Sequence, residues 1–112
     1  MNNLRFWVLA VAFMLMAAPG LTAAEGNVEL GRSKAYTCLG CHGVEGYRNA
    51  YPSFRVPRLG GQHSEYLVSA LKAYANGDRQ HATMQALAET LTEQDMLDIA
   101  AYFEAVGRGG VQ

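Results

Sequence analysis

Charge of one sign is what this chain has least of. Nine Lys and Arg stand against ten Asp and Glu, for a formal net charge of −1. That balance excludes a role on nucleic acid or anionic lipid, which call for a basic excess. Alternation of polar and apolar residues is missing over any stretch long enough to argue for a sheet, as are internal repeats and low-complexity tracts. Helices are what remains. No uninterrupted apolar run reaches the ~20 residues that a membrane-crossing helix needs. Cysteine occurs only at Cys38 and Cys41, in the body of the chain, so no lipid-bearing cysteine follows the amino-terminal segment.

That segment, "MNNLRFWVLAVAFMLMAAPGLTAAEG", places Arg5 before an apolar run from Phe6 to Ala18, with Pro19 and Gly20 as a breaker. Thr22 and Ala24 then satisfy the small-x-small pattern of a cleavage site, so residues 1–24 read as a secretory signal peptide and 25–112 as the exported, periplasmic domain. The alternative is an uncleaved anchor, which the short run and the breaker disfavour. A domain of this size has a marginal side-chain core and commonly recruits a bridge, metal or cofactor.

An all-α fold is expected. Asn27 is a good N-cap with Glu29 in the first turn, and Val28, Gly31, Ala35 and Cys38 share one face at helical spacing. A long loop marked by glycines, Pro52 and Pro57 runs from Gly43 to Gln62. "HSEYLVSALKAYANG" predicts a helix with Ser64 as N-cap, an apolar stripe of Leu67, Ala70, Leu71 and Tyr74, and an Asn76-Gly77 exit. "DRQHATM" reads as a polar loop leading to a short apolar piece around Ala86 and Leu87. "LTEQDMLDIAAYFEAVG" then opens with a capping box, Thr92 and Asp95. Its buried face is Met96, Ile99, Ala100 and Phe103, and it ends at Gly107. Leu91 and Met96 sit at hydrophobic-staple positions.

The chemistry concentrates in "AYTCLGCHGVEG", where Cys38, Cys41 and His42 form Cys-x-x-Cys-His. A thioredoxin-like redox pair needs a strand before it, and none precedes Thr37. Structural zinc could draw on Cys38, Cys41 and two of His42, His63 and His81, but a second well-spaced ligand pair is missing. The remaining reading is covalent haem attachment, one haem c with its iron. On a helical turn the two thiols project to one side, where they can fix the two vinyl groups of one porphyrin, and His42 can reach the iron.

Three segments in order, "GRSKAYTCLGCHG", "VPRLGGQHSEYLVSALKAYANGDR" and "HATMQALAETLTEQDMLDIAAYF", resemble the class I cytochromes c. The similarity is to the short bacterial monohaem forms and to single halves of dihaem periplasmic cytochromes. It implies helices wrapped around one haem, with Gly31 of the first helix meeting Tyr102 or Phe103 of the last. It also implies His42 as one axial ligand, its other ring nitrogen bonded to the Pro57 carbonyl. Met84, in the loop before the last helix where the family places its methionine, is the implied second ligand, with His81 as rival. Met96 belongs to a helix face and His63 to the surface. Arg48, Arg55, Arg58 and Gln62 are candidates for the propionates. The expected function is single-electron carriage by a monomer, without catalysis, between larger redox proteins. The alternative is a small haem enzyme or gas-sensing domain with an accessible iron.

Overall fold

The computed structural model describes residues 24–51 and 53–107, so the expected leader lies outside the described residues except for Ala24. Five helices follow one another: α1 (Val28–Lys34), α2 (Tyr36–His42), α3 (Ser64–Ala75), α4 (Ala82–Ala88) and α5 (Glu93–Val106). No strand occurs among the described residues. An isolated antiparallel bridge between Arg48 and Arg55 pinches the long loop into a small hairpin, with the Asn49 N–H donating to the Phe54 carbonyl (2.9 Å) and the Val56 N–H to the Tyr47 carbonyl (2.9 Å).

Asn27 caps α1 through its side-chain oxygen, as its residue type predicts. The helix does not run on to the cysteines. It stops at Ala35, whose ψ of −4° turns the next peptide out of helical register. The Cys38 N–H accordingly reaches three residues back, to the Ala35 carbonyl (2.9 Å). Gly31 and Ala35 are buried, but Val28, expected on the same face, is 40% exposed.

α1 crosses α5 almost backbone to backbone. A Cβ added at Gly31 would lie 1.9 Å from the Asp98 carbonyl oxygen and 2.9 Å from the Tyr102 Cβ, so glycine is required by the close approach. This is the predicted crossing, with Tyr102 as the partner. Gly26 makes a second such contact, 2.1 Å from the Leu97 carbonyl oxygen by the same construction. Asp98 locks the crossing. It is fully buried and accepts from the Asn27 N–H (2.7 Å), Lys34 Nζ (2.5 Å) and Gln94 Nε2 (2.9 Å). Lys34 also pairs with Asp95 at 2.7 Å.

The apolar core gathers Ala35, Leu67, Ile99, Ala100, Tyr102 and Phe103, drawn from α3, α5 and the α1/α2 junction. Full burial of Phe103 contributes roughly 2 to 3 kcal/mol. Met96 is buried on α5, as expected. The α5 capping box forms in both directions, and Gly107 ends the helix at a φ of 64°.

Two expectations about helix starts are corrected. His63, not Ser64, is the N-cap of α3, and its side chain makes no capping bond. The first turn is served from across the fold: the Ser64 hydroxyl and N–H bond the Glu104 carboxylate of α5 and hold it below the usual carboxylate range. Likewise "DRQHATM" is not loop throughout. His81 caps α4, which places Met84 in the first turn of a helix. The capping side chain is an imidazole, with no glutamate or glutamine at the third helical position to announce it.

Candidate functional site

α2 is short because Ala35 opens it and Gly43 closes it. A Cβ at Gly43 would stand 2.6 Å from the Leu39 carbonyl oxygen that its own N–H uses. Within this helix Cys38 and Cys41 are one turn apart, on one side, and no disulfide joins them. Burial pushes the Cys38 thiol up, with smaller opposing contributions from bonds to Thr37 and its own backbone.

His42 ends α2 and its ring nitrogen Nδ1 lies 2.6 Å from the Pro57 carbonyl oxygen. A carbonyl only accepts, so Nδ1 carries a hydrogen, and in the neutral ring Nε2 then holds the lone pair. Burial lowers the His42 pKa most, the Pro57 bond opposes it, and the charge of His81 lowers it further. The result is a neutral, oriented imidazole with a bare nitrogen, the form a metal-ligating histidine takes. Pro57 itself is positioned by the loop's return, which Gly61 anchors through its N–H to the Phe103 carbonyl (2.8 Å).

His81, the N-cap of α4, lies within electrostatic range of His42, whose pKa its charge lowers slightly. Met84 follows three residues later and is half-buried. Around this region the loop presents Val44, Tyr47 and Phe54 half exposed, apolar surface suited to cover a flat apolar group. His63 stays on the surface, its side chain 87% exposed and 3.6 Å from Glu104. Arg58 pairs with Glu45 at 3.5 Å, and together with Gly60, Gly61 and Gln62 it lines a shallow cleft beside the returning loop. Among the described residues no group of three or more His, Cys, Asp and Glu side chains could hold a metal ion, which leaves the zinc alternative without a ligand set.

Asp98, Gly26 and the capping role of His81 were not legible in the sequence. The one available signal was for Asp98: a charge set inside "MLDIAA" needs a partner if that face is buried.

Two adjacent thiols on a helical turn, an imidazole with a bare nitrogen and flanking apolar loop surface define a small all-helical domain with a covalent haem. The cytochrome c family model matches residues 28–106, and the chain belongs to the cytochrome c family. It is 36% identical over 96 residues to cytochrome c4 of Pseudomonas aeruginosa, covering 86% of this chain and 46% of that protein. It is 40% identical over 83 residues to cytochrome c-554(548) of Halomonas halodenitrificans, covering 71% of this chain and 96% of that one. The solved structure of Acidithiobacillus ferrooxidans cytochrome c4 superimposes with a TM-score of 0.59 at 27% identity, over 86% of this chain and 61% of the other. The chain thus spans about half the length of the Pseudomonas protein and corresponds to one half of a dihaem cytochrome. As a cytochrome c domain with two cysteines it takes one covalently bound c-type haem with its iron.

Proposed function

We propose that the chain is a periplasmic single-electron carrier, with Cys38 and Cys41 as the thioether anchors and His42 and Met84 as the axial ligands. The observation that carries the reading is the His42 Nδ1 bond to the Pro57 carbonyl, which leaves Nε2 as a lone pair one residue beyond Cys41. When bound, the haem supplies the ferric/ferrous couple. The residues do the rest. The two cysteines tether, His42 is oriented by Pro57, and the half-exposed apolar residues of the loop shield the site from water, which favours the lower charge of ferrous iron.

Met84 is favoured over Met96 by position. Met96 is 5% exposed within the helix packing of α5, whereas Met84 is half-buried in the segment that His81 opens, and the charge of His81 reaches His42. A thioether is soft and neutral, raises the potential relative to a second imidazole and closes the iron to substrates, which suits a carrier and not an enzyme. The signal peptide of residues 1–24 belongs to this proposal, as do larger redox proteins as donor and acceptor and a monomeric state for the domain of 25–112. The solved Acidithiobacillus cytochrome c4 was examined for electron transfer tuned by complex formation, and the same kind of partner is proposed here.

The test uses protein matured in a periplasm. Haem should stay with the polypeptide on a denaturing gel, detected by peroxidase-type staining. The ferric form should show the sulfur-to-iron charge-transfer absorption, and the ferrous form should resist carbon monoxide. Met84→Ala should abolish both properties and lower the potential, while Met96→Leu leaves the spectrum alone and costs at most about 1.5 kcal/mol of stability. A colourless band overturns covalent attachment. Ready carbon monoxide binding by the parent overturns the carrier in favour of a sensor or enzyme.

A further inference from the structure

His81 has no task in the carrier reading, yet its ring is closely held. Its Nδ1 accepts the Met84 N–H at 3.3 Å, from an extended backbone of φ −164° and ψ 109°. Phe54 lies on one side, with ring centroids 6.1 Å apart and planes at 49°; Tyr74 stands edge-on, at 6.5 Å and 76°. The Arg79 guanidinium sits 4.8 Å from the Tyr74 centroid and fixes that ring in turn.

An amide N–H only donates, so Nδ1 of His81 must hold the lone pair and the hydrogen of the neutral ring must be on Nε2. This is the opposite tautomer to His42, where the Pro57 carbonyl puts the hydrogen on Nδ1. The two imidazoles, close enough for their charges to couple, are therefore not equivalent toward a metal. His42 offers a bare Nε2. His81 offers an N–H there.

α4 has seven residues, too few to be held by its own hydrogen bonds, and the N–H at its third position has no partner within the helix. That N–H is the one on Met84. We propose that His81 is a positioning residue for Met84: its Nδ1 cap fixes the backbone that presents the thioether, and the same bond disfavours the tautomer with a bare Nε2, so that His81 competes less as a ligand. This rests on the reading of Met84 as axial ligand. Without the cap the first turn of α4 frays, and the sulfur leaves the iron more often.

The experiment compares haem-loaded parent, His81→Asn, His81→Ala, His81→Phe and Met84→Ala by the sulfur-to-iron absorption, the reduction potential and carbon monoxide binding to the ferrous form. Asparagine is a strong cap and should keep the parental band and potential. Alanine, and phenylalanine, which keeps a ring between Phe54 and Tyr74 but has no acceptor, should weaken the band. Both should raise the carbon-monoxide-accessible fraction about fivefold, the equilibrium factor of one lost cap. Met84→Ala should give an open iron and not a bis-imidazole spectrum. Parental behaviour of both His81→Ala and His81→Phe overturns the positioning role, as does an Asn variant impaired as badly as Ala. A bis-imidazole spectrum in Met84→Ala overturns the disfavouring of His81 as a ligand. If Met84→Ala keeps the sulfur band, the ligand assignment itself fails and the positioning role goes with it. If Met84→Ala loses the band while the His81 variants do not, only the positioning role fails.

Discussion

A single carboxylate holds more of this fold than any other polar group described. Asp98 is fully buried, and its pKa is held below the usual carboxylate range, first by the Asn27 N–H and then by the Lys34 ammonium. Burial itself works the other way, raising the pKa, and is outweighed by these bonds. A carboxyl whose pKa falls on folding stabilises the native state at pH values above its unfolded value, here 3.8, and loses that contribution as pH drops through the folded value. Asp98→Asn should therefore lower the melting temperature at neutral pH and flatten the loss of stability below about pH 4. Asp98→Ala removes the acceptor shared by the Asn27 N–H, Lys34 and Gln94 and should cost on the order of 2 kcal/mol. Thermal unfolding between pH 3 and 7 checks both. A parent and an Asn variant with parallel acid profiles would contradict the assignment.

Between elements, the decisive contact is the crossing of α1 over α5. Gly31→Ala would drive a methyl into the Asp98 carbonyl, where the obstacle is helix backbone and cannot step aside. The helices would have to separate, opening the seam that buries Tyr102 and Phe103, and a loss of several kcal/mol follows. By contrast Gly40→Ala, on the cysteine-bearing helix, meets nothing within 4 Å and should be neutral or slightly stabilising through helix propensity. Denaturant midpoints of the two variants should differ accordingly. Equal midpoints would mean that the crossing relaxes more easily than its geometry allows. α5 has a further duty, since Glu104 serves the first turn of α3 and the Phe103 carbonyl anchors the returning loop at Gly61.

For the molecule as a whole, the protein core is thin on its own. Of the eight buried apolar residues described, Ala35, Ala88 and Ala100 bury little area. The loop that brings Pro57 to His42 is held at its bridge and at Gly61, but none of its described residues is buried. Chain entropy of about 1 to 2 kcal/mol per residue then calls for a covalently tethered apolar group as part of the core. Cys38→Ala combined with Cys41→Ala should leave a largely unfolded, protease-sensitive chain. The check is limited proteolysis with thermal melting, and a cooperative transition unchanged from the parent would refute it.

The sequence by itself determined what is local. Cys-x-x-Cys-His names its own chemistry because tether and ligand lie within one helical turn. Asn27, Thr92 with Asp95, and Gly107 mark helix ends through bonds and backbone freedom that act over a few residues. The face of Met96, Ile99, Ala100 and Phe103 follows from helical period, and all four are buried. The Pro57 bond to His42 and the approach of Gly31 to Tyr102 came from resemblance to a family, because contacts between such distant positions leave no trace in spacing. Only the tertiary structure decided the rest. The helix broke at Ala35, a residue with no breaking tendency, whose ψ of −4° separates α1 from α2. Met84 moved from loop to helix because an imidazole, a rare cap, found its N–H. Ser64 gave up its capping role because Glu104, forty residues on, was brought beside it. Asp98 could be buried charged because Asn27, Lys34 and Gln94 converge on it once α1 lies across α5. The difference is physical: local signals act through bonds within one turn, whereas the burial of Asp98 and the new partner of Ser64 depend on groups that only the packed fold makes neighbours.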